Sequence, residues 1–595
     1  MMDEFVDLDD IQPESGNERF AGFEASQVPG VTWPANFSMR SSGLWFDGDE
    51  NKLETWLSGP FLIEAEARNP ASESWSLILS WKDRDGRSHR AVIPRAELAG
   101  DGTDIRKRLA DGGLTLAGGR SCKERFLQAL ISVSCAKRVT LSDTTGWREG
   151  SFVLPDRTIG PIDCEPVLFQ GRGIGAGFHE SGSLAEWQKY VGTPAGEHHR
   201  IAFALAVALT GPLLEPLGLE GGGFHLFGPS SCGKTTGLKV AGSAWGGGSE
   251  RGFTLTWRTT ANALEGVAAA HNHTFLPLDE ISQISPQELD HATYALGNGQ
   301  AKARMRADGE IRPRARWRVP ILSSGEVTVA TRIREAAVMK RVRAGQEVRL
   351  VDVLADAGSN YGIFDHAGEE KQASLLSQAL QNATDRYYGT AGPAFVERLI
   401  EAGSGIFSRA RTLLNELSTQ LVPEQSDGQV RRVGQRFALV GAAGELAIEL
   451  GVLPWSRGTA SDAVQRTFSG WLTQRGGCDR REDHTAIETV SHFLQRFGEA
   501  RFIRLDHVSS LAADSGRFIS DLAGWRRGEE FLIQPAAWQE ITEGLDSLAV
   551  AEVLVRHGYL KKSKDGKNSQ ALQICGRKRR VYVVAASLLG AGAVE

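Results

Sequence analysis

The sequence predicts an α/β multidomain protein, and three observations carry that prediction. A short apolar run enters a glycine-bounded loop between Phe224 and Thr236. Strand-like and helix-like segments then alternate to about Asp352, as they do around a parallel sheet. The 595 residues also exceed what one hydrophobic core can organise, and roughly one domain per 150 residues gives about three to five domains.

Taken in order, residues 1–36 are acidic, contain Pro and Gly, and have no periodicity, so they read as a disordered tail. Residues 37–160 read as a mostly β domain. Phe61–Arg68 is one strand, and Trp75–Lys82 and Arg87–Pro94 flank Asp85-Gly86 as a hairpin. Thr144-Thr145-Gly146-Trp147 and Ser151–Pro155 form a strand-turn-strand, with Trp147 expected in the core. The glycine-rich stretch Arg172–Gly177 lacks a βαβ context, so 161–182 is a hinge rather than a second nucleotide site. The α/β core is expected at 183–355 and a helical lid at 356–475, where Phe395–Ala402, Ala410–Gln420 and Val430–Leu450 carry apolar residues at three- and four-residue spacing. Residues 476–595 read as a winged-helix-like domain. A helix is expected from Thr485, with Thr485 and Glu488 as a capping box, and further helices precede two short strands. Between Arg556 and Arg580 nine Lys/Arg stand against one Asp, so the final hairpin would be a basic wing.

Composition narrows the class. Hydrophobic content of 41%, charged content of 24% and net charge −6 give no global attraction to polyanions, so any nucleic-acid site has to be local. The apolar run Ile201–Thr210 is far short of the roughly 20 residues a membrane span needs. The acidic start MMDEFVDLDD is unlike a secretory leader, and six cysteines without a C-x-x-C pair suggest neither a zinc site nor a disulfide framework. A cytoplasmic protein without a membrane partner is expected.

Gly228-Pro229-Ser230-Ser231-Cys232-Gly233-Lys234-Thr235, followed by Thr236, fits G-x-x-x-x-G-K-[ST] at every fixed position. The glycines let backbone N–H groups turn towards phosphates, Lys234 reaches the β and γ oxygens, and Thr235 can hold Mg²⁺. ATP and Mg²⁺ are the expected ligands. The apolar segment His273–Leu278 ends in Asp279-Glu280, 45 positions after Lys234. Asp279 is expected on the Mg²⁺ side, and Glu280 as the general base or water-positioning residue. Pro277 is unusual there, because proline removes a ladder donor. A second buried strand, Trp317–Leu322, ends at Ser323-Ser324, where a hydroxyl can align the attacking water; Ser324 is the first choice and Ser323 the second. Lys340, Arg341, Arg343 and Arg349 offer candidates for an arginine acting on a neighbouring subunit's nucleotide.

Between the acid pair and Ser324, Lys302, Arg304 and Arg306 alternate with non-basic residues, Asp308-Gly309 turns the chain, and Arg312, Arg314, Arg316 and Arg318 alternate again. A two-residue turn would set Arg306 opposite Ile311 and send the two rows to opposite faces. Seven basic residues against two acidic ones suit a DNA backbone, through Lys302, Arg304, Arg306, Arg312 and Arg314. The alternative is a solvent-facing charged hairpin, and Pro313 weakens the second strand.

These pieces resemble a family. Thr145-Gly146-Trp147, Ser231–Thr236, Ser243-Ala244-Trp245-Gly246, Gly297-Asn298-Gly299 with Lys302 and Arg304, Ser323–Glu326 and Ala344–Leu350 occur in an order similar to a large domain-of-unknown-function family of phages and mobile elements. Its cassette-chromosome members are helicases similar to the minichromosome-maintenance proteins, and the resemblance covers about residues 40–590. It implies an AAA+ P-loop ATPase forming a ring, a homohexamer, around single-stranded or forked DNA. Polymerase, primase or single-strand-binding proteins would be its replication partners. It implies further that Lys302 and Arg304 lie on a pore loop, and that Arg349 rather than Arg341 or Arg343 is the arginine finger. Arg432 rather than Arg431 would be the second sensor. The expected function is an ATP-driven DNA helicase of a mobile element; the alternative is an initiator or defence assembly that hydrolyses ATP without unwinding.

Overall fold

The computed structural model describes residues 30–48, 53–161, 165–171, 177–249, 252–303, 305, 314–335, 349–366, 370–477, 481–505 and 521–590. The chain forms a mixed α/β structure in two compact units, Met1–Phe178 with Ala269–Asn272, and His179–Ala268 with His273–Glu595.

The first unit is built on a five-stranded sheet ordered Val167–Phe169, Arg138–Ser142, Leu62–Arg68, Ser76–Lys82, Ser88–Pro94. The hairpin pairs Lys82 with Ser88. Its turn is closed by Asp83 Oδ1, which accepts from the N–H groups of Asp85 and Arg87 at 2.9 Å each. The unit is mostly β as expected, and helices Thr103–Asp111 and Arg120–Ser132 are set among its strands. Each buries one stripe (Ile105 and Leu109; Phe126, Ala129 and Leu130) against Phe61, Leu77 and Leu79. The tail ends earlier than residue 36, because Val31-Thr32 pairs with Ser134-Cys135 and Trp33 packs edge-on to Phe61. Part of the expected hinge is structure: Val167–Phe169 runs parallel to Thr140–Ser142. Residues 172–176 lie outside the described residues. Trp147 packs edge-on to Phe152 at 5.1 Å. The buried Thr145 hydroxyl donates to the carbonyls of Ala270 (2.9 Å) and Asn272 (2.8 Å), and the Asn272 amide donates to Thr145 O at 2.7 Å.

The second unit contains a five-stranded all-parallel sheet ordered Leu255–Thr256, Leu276–Asp279, Pro320–Gly325, Gly222–Phe227, Leu350–Leu354. Its central strands are buried, as sheets covered on both faces are. Pro277 is tolerated because the neighbouring Leu255–Thr256 strand reaches only Leu278 and Asp279, leaving the proline with a ladder on one side. The apolar run read at Ile201–Thr210 is the helix His199–Ala208, buried at every residue and packed on helices Lys234–Gly242, Gly428–Glu449 and Thr459–Arg475. Among the described residues no single helix is long and apolar enough to cross a membrane. Helices Ala391–Glu401, Gly405–Leu421 and Gly428–Glu449 follow where apolar spacing placed them, and Asp427 caps the last by accepting from Gln429 N–H (2.8 Å) and Val430 N–H (2.7 Å).

Towards the C-terminus the order is helix Arg481–Phe497, strands Phe502–Arg504, Gly524–Arg527 and Glu530–Ile533, helices Pro535–Ile541 and Ser547–Arg556, then strands Leu560–Lys561, Gln570–Ile574 and Arg577–Ala585. The first helix starts before Thr485, so Thr485 is interior and the capping-box expectation fails. Asp483, which pairs with Arg556 and His557, fastens the extra turn. The stripe Ile487, Val490 and Leu494 is buried as expected. The last strand is longer than expected: its outer half pairs with Gln570–Ile574, and its inner half pairs with Glu530–Ile533.

Candidate functional site

The Gly222–Phe227 strand delivers the chain to residues 228–233, and the helix Lys234–Gly242 begins immediately after. Gly233 is left-handed (φ +93°), and a Cβ there would meet Ile363 Cγ2 at 2.5 Å, so only glycine fits this turn. The Lys234 ammonium donates to the carbonyls of Gly228 (2.8 Å) and Pro229 (2.6 Å), with Cys232 Sγ at 3.7 Å. Ile363 N–H donates to Cys232 O at 2.8 Å and buttresses the loop from outside. A cavity of about 890 Å³ opens over residues 230–236 and is walled by Glu280, Glu326, Asn360, Tyr361, Ser377 and Gln381, among others.

Asp279 and Glu280 leave the end of their strand beside this loop. The Thr235 hydroxyl donates to Asp279 Oδ2 at 3.1 Å. Ser324 Oγ donates to Asp279 Oδ1 and accepts from Glu280 N–H at 3.1 Å. One hydroxyl therefore ties the two acids together. Glu280 is held in the left-handed region (φ +60°), which costs a non-glycine residue about 1–3 kcal/mol. The oxygen-only donors of Thr235 and Asp279 suit a hard cation such as Mg²⁺, and the cavity has the volume for a nucleotide.

Ser323 has a different environment. It is fully buried, accepts from Trp257 Nε1 at 2.9 Å, and donates to His225 Nδ1 at 2.9 Å; His225 Nε2 in turn donates to Val327 O at 2.9 Å. Burial lowers the His225 pKa to about 4, so this imidazole is neutral. The chain of bonds commits Ser323 to the core and leaves Ser324 facing the acids. Sequence reasoning missed His225, Trp257 and the cavity wall. Of these only the polar His225 in the apolar run Phe224–Phe227 carried a signal.

Arg349 lies at the opposite end of the sheet. Gly223 pairs with Leu350 and Phe227 with Leu354, so Arg349 precedes its strand where residues 228–234 follow theirs. About five residues at ~3.3 Å separate the two ends, roughly 16 Å. Arg349 stacks on Tyr294 (4.7 Å) and donates to Asn298 Oδ1 at 2.8 Å. It lines a cavity of about 400 Å³ together with Arg432, Gln435 and Arg436. Arg431 instead donates to the carbonyls of Ser426 (3.1 Å) and Glu424 (2.8 Å), away from that cavity. Lys340, Arg341 and Arg343 lie outside the described residues.

Of the basic hairpin, Arg304, Arg306 and Arg312 lie outside the described residues, while Lys302, Arg314 and Arg316 are exposed at its base. Gln300 pairs with Arg316, Ala301 N–H donates to Ala315 O (2.9 Å), and Trp317 N–H donates to Gly299 O (2.9 Å). A two-residue turn at Asp308-Gly309 would set Gln300 opposite Trp317, so the base is one residue out of the expected register. The buried Trp317, bonded to Leu296 O at 3.2 Å, and the left-handed Gly299 at the helix end fix that offset. Alternation then puts Lys302, Arg314 and Arg316 on one face, correcting the expectation of opposite faces.

A family model described as "Domain of unknown function (DUF927)" matches residues 37–316. A solved structure titled "SCCmec type IV Cch - active helicase" shares the fold, with a TM-score of 0.67 and 16% identity over 94% of this chain and 99% of that one. The domain match covers less than half of the chain, and the structural likeness is one of fold. No curated protein sequence matches the chain.

Proposed function

We propose that the protein is an ATP-driven DNA helicase or translocase of a mobile element, with an AAA+ core, a helical lid and a winged-helix-like C-terminal domain. The observation that carries this reading is the continuous contact from Thr235 through Asp279 and Ser324 to the Glu280 backbone. In this reading Lys234 and the loop N–H groups bind the β- and γ-phosphates, and Thr235 and Asp279 hold Mg²⁺. Mg²⁺, when bound, neutralises charge on the phosphate oxygens. Glu280 takes the proton of the water that attacks the γ-phosphorus while the bond to the β–γ bridging oxygen breaks. Ser324 keeps Glu280 aimed.

Arg349 is too far from its own loop to touch those phosphates, which supports a ring, a homohexamer, in which it reaches the nucleotide of the adjacent subunit. Arg432 beside it is the second-sensor candidate. The single-faced base of Lys302, Arg314 and Arg316 supports a DNA-facing loop, because like charges on one face repel unless an anion lies between them.

The test is a labelled forked duplex incubated with and without ATP at fixed salt. Strand separation that needs ATP supports the proposal. Hydrolysis without separated strands returns the chain to the initiator or defence reading. The double variant Lys302→Ala/Arg304→Ala is expected to keep ATPase activity and lose unwinding; full unwinding by it would remove the pore-loop assignment.

A further inference from the structure

The C-terminal domain gathers its largest group of exposed cations in one place. Six cations, Lys562, Lys564, Lys567, Arg577, Lys578 and Arg580, are exposed on the loop and hairpin that follow Lys561, and none is ion-paired among the described residues. The hairpin is paired along its length. Gln570 pairs with Val581 and Ile574 with Arg577, and Cys575-Gly576 form a two-residue turn with both φ values positive (+48° and +74°). Two other cations nearby are already engaged: Lys561 pairs with Glu530 at 2.7 Å, and Arg579 lies 4.8 Å over Trp525.

The helix Ser547–Arg556, which occupies the place of a recognition helix before the hairpin, is chemically the reverse. Its outward residues are Leu548 (63% exposed), Ala549, Glu552 and Arg556, and this one cation is already paired with Asp483. Such a face offers phosphates only the already engaged Arg556 and repels them at Glu552. The hairpin also lacks an exposed aromatic on which an unpaired base could stack: Tyr582 is stacked on Trp538 at 4.4 Å, and Trp525 is buried. A two-stranded ribbon, by contrast, fits the major groove of a duplex.

We infer that the C-terminal domain grips the backbone of duplex DNA through this hairpin and the preceding lysine loop, without reading sequence, and that the Ser547–Arg556 helix stays off the DNA. This rests on the DNA-directed reading above but not on ATP hydrolysis or strand separation, so a failed unwinding assay leaves it standing.

The experiment is fluorescence anisotropy of full-length protein, without nucleotide, on blunt 30-base-pair duplexes of two unrelated sequences and on one 30-base single strand, across a salt series. The variants are Lys562→Ala/Lys564→Ala/Lys567→Ala, Lys578→Glu/Arg580→Glu, and Leu548→Ala/Glu552→Ala, each first matched to the parent by thermal unfolding. The lysine-loop variant is expected to lower the log–log salt slope on duplex by about 3, close to one for each phosphate that a lysine no longer neutralises. The hairpin reversal is expected to weaken both duplexes equally, by at least about tenfold. The helix variant should bind as the parent does. Unchanged duplex binding by the two wing variants would overturn the inference. A loss confined to the single strand, to one sequence, or to the helix variant would also overturn it.

Discussion

Replacing Ser324 with alanine deletes a hydroxyl that holds one acid and receives the backbone N–H of the other. The site is buried (Ser324 is 1% exposed), so Glu280 N–H would be left without its acceptor, a loss of about 1–3 kcal/mol. The bond to the Asp279 carboxylate is charge-assisted and adds about 1.5–3 kcal/mol. These losses fall on the same two residues and do not add in full, so about 2–4 kcal/mol is a fair range. If the Glu280 carboxylate must be aimed for hydrolysis, kcat should fall roughly 30- to 1,000-fold. Nucleotide binding, measured with a fluorescent non-hydrolysable analogue, should change little, because no loop contact is touched. Ser323→Ala is the matched control, being the preceding residue on the same strand. It strips partners from His225 and Trp257 in the core and should lower the unfolding temperature by several degrees while leaving most of kcat. Ser323→Ala losing kcat at an unchanged melting temperature, while Ser324→Ala retains it, would refute the assignment of the two serines.

Glu280→Gln is expected to bind ATP and to hydrolyse it at least about 10²-fold more slowly, measured as phosphate release. Arg349→Ala should keep nucleotide affinity but lose about 10³-fold or more in turnover. Mixed with parent protein at increasing ratios, it should depress activity more steeply than dilution; a linear titration would mean that no subunit depends on its neighbour's arginine. His225 predicts an acid limb of stability. Its pKa is about 4 in the folded chain and near 6.5 when unfolded, so the unfolded state binds the extra proton between those values. Stability is full above about pH 6.5 and should decline by roughly 3 kcal/mol as pH falls to 4. Urea midpoints against pH, compared between parent and His225→Gln, would isolate that contribution; equal pH slopes would refute it.

What the sequence made legible was the part in which chemistry dictates residue type at short spacing. The glycine-bounded loop, the acid pair and the strand-end serine, which the structure brings together, could each be picked out because each is a short run of neighbouring residues. The Ser323 chain could not, since His225 lies 98 positions away and nothing local marks it as a partner. The cavity wall of Asn360, Tyr361, Ser377 and Gln381 was hidden for the same reason. The two helices of the first unit had readable stripes, Ile105 with Leu109 and Phe126 with Leu130, that the surrounding strand patterns obscured. The register at the base of the hairpin was misjudged because the buried Trp317 fixes it, and nothing local in the sequence marks that tryptophan as an anchor.

The left-handed backbone at Glu280 has an evolutionary side. Glycine or asparagine would occupy that conformation with less strain, gaining up to about 1 kcal/mol of folding stability. A library screened for thermal resistance alone would therefore enrich Glu280→Gly and Glu280→Asn, and the winners would be tougher proteins without the carboxylate proposed above as the base. On that proposal, position 280 is where durability and turnover compete for one residue.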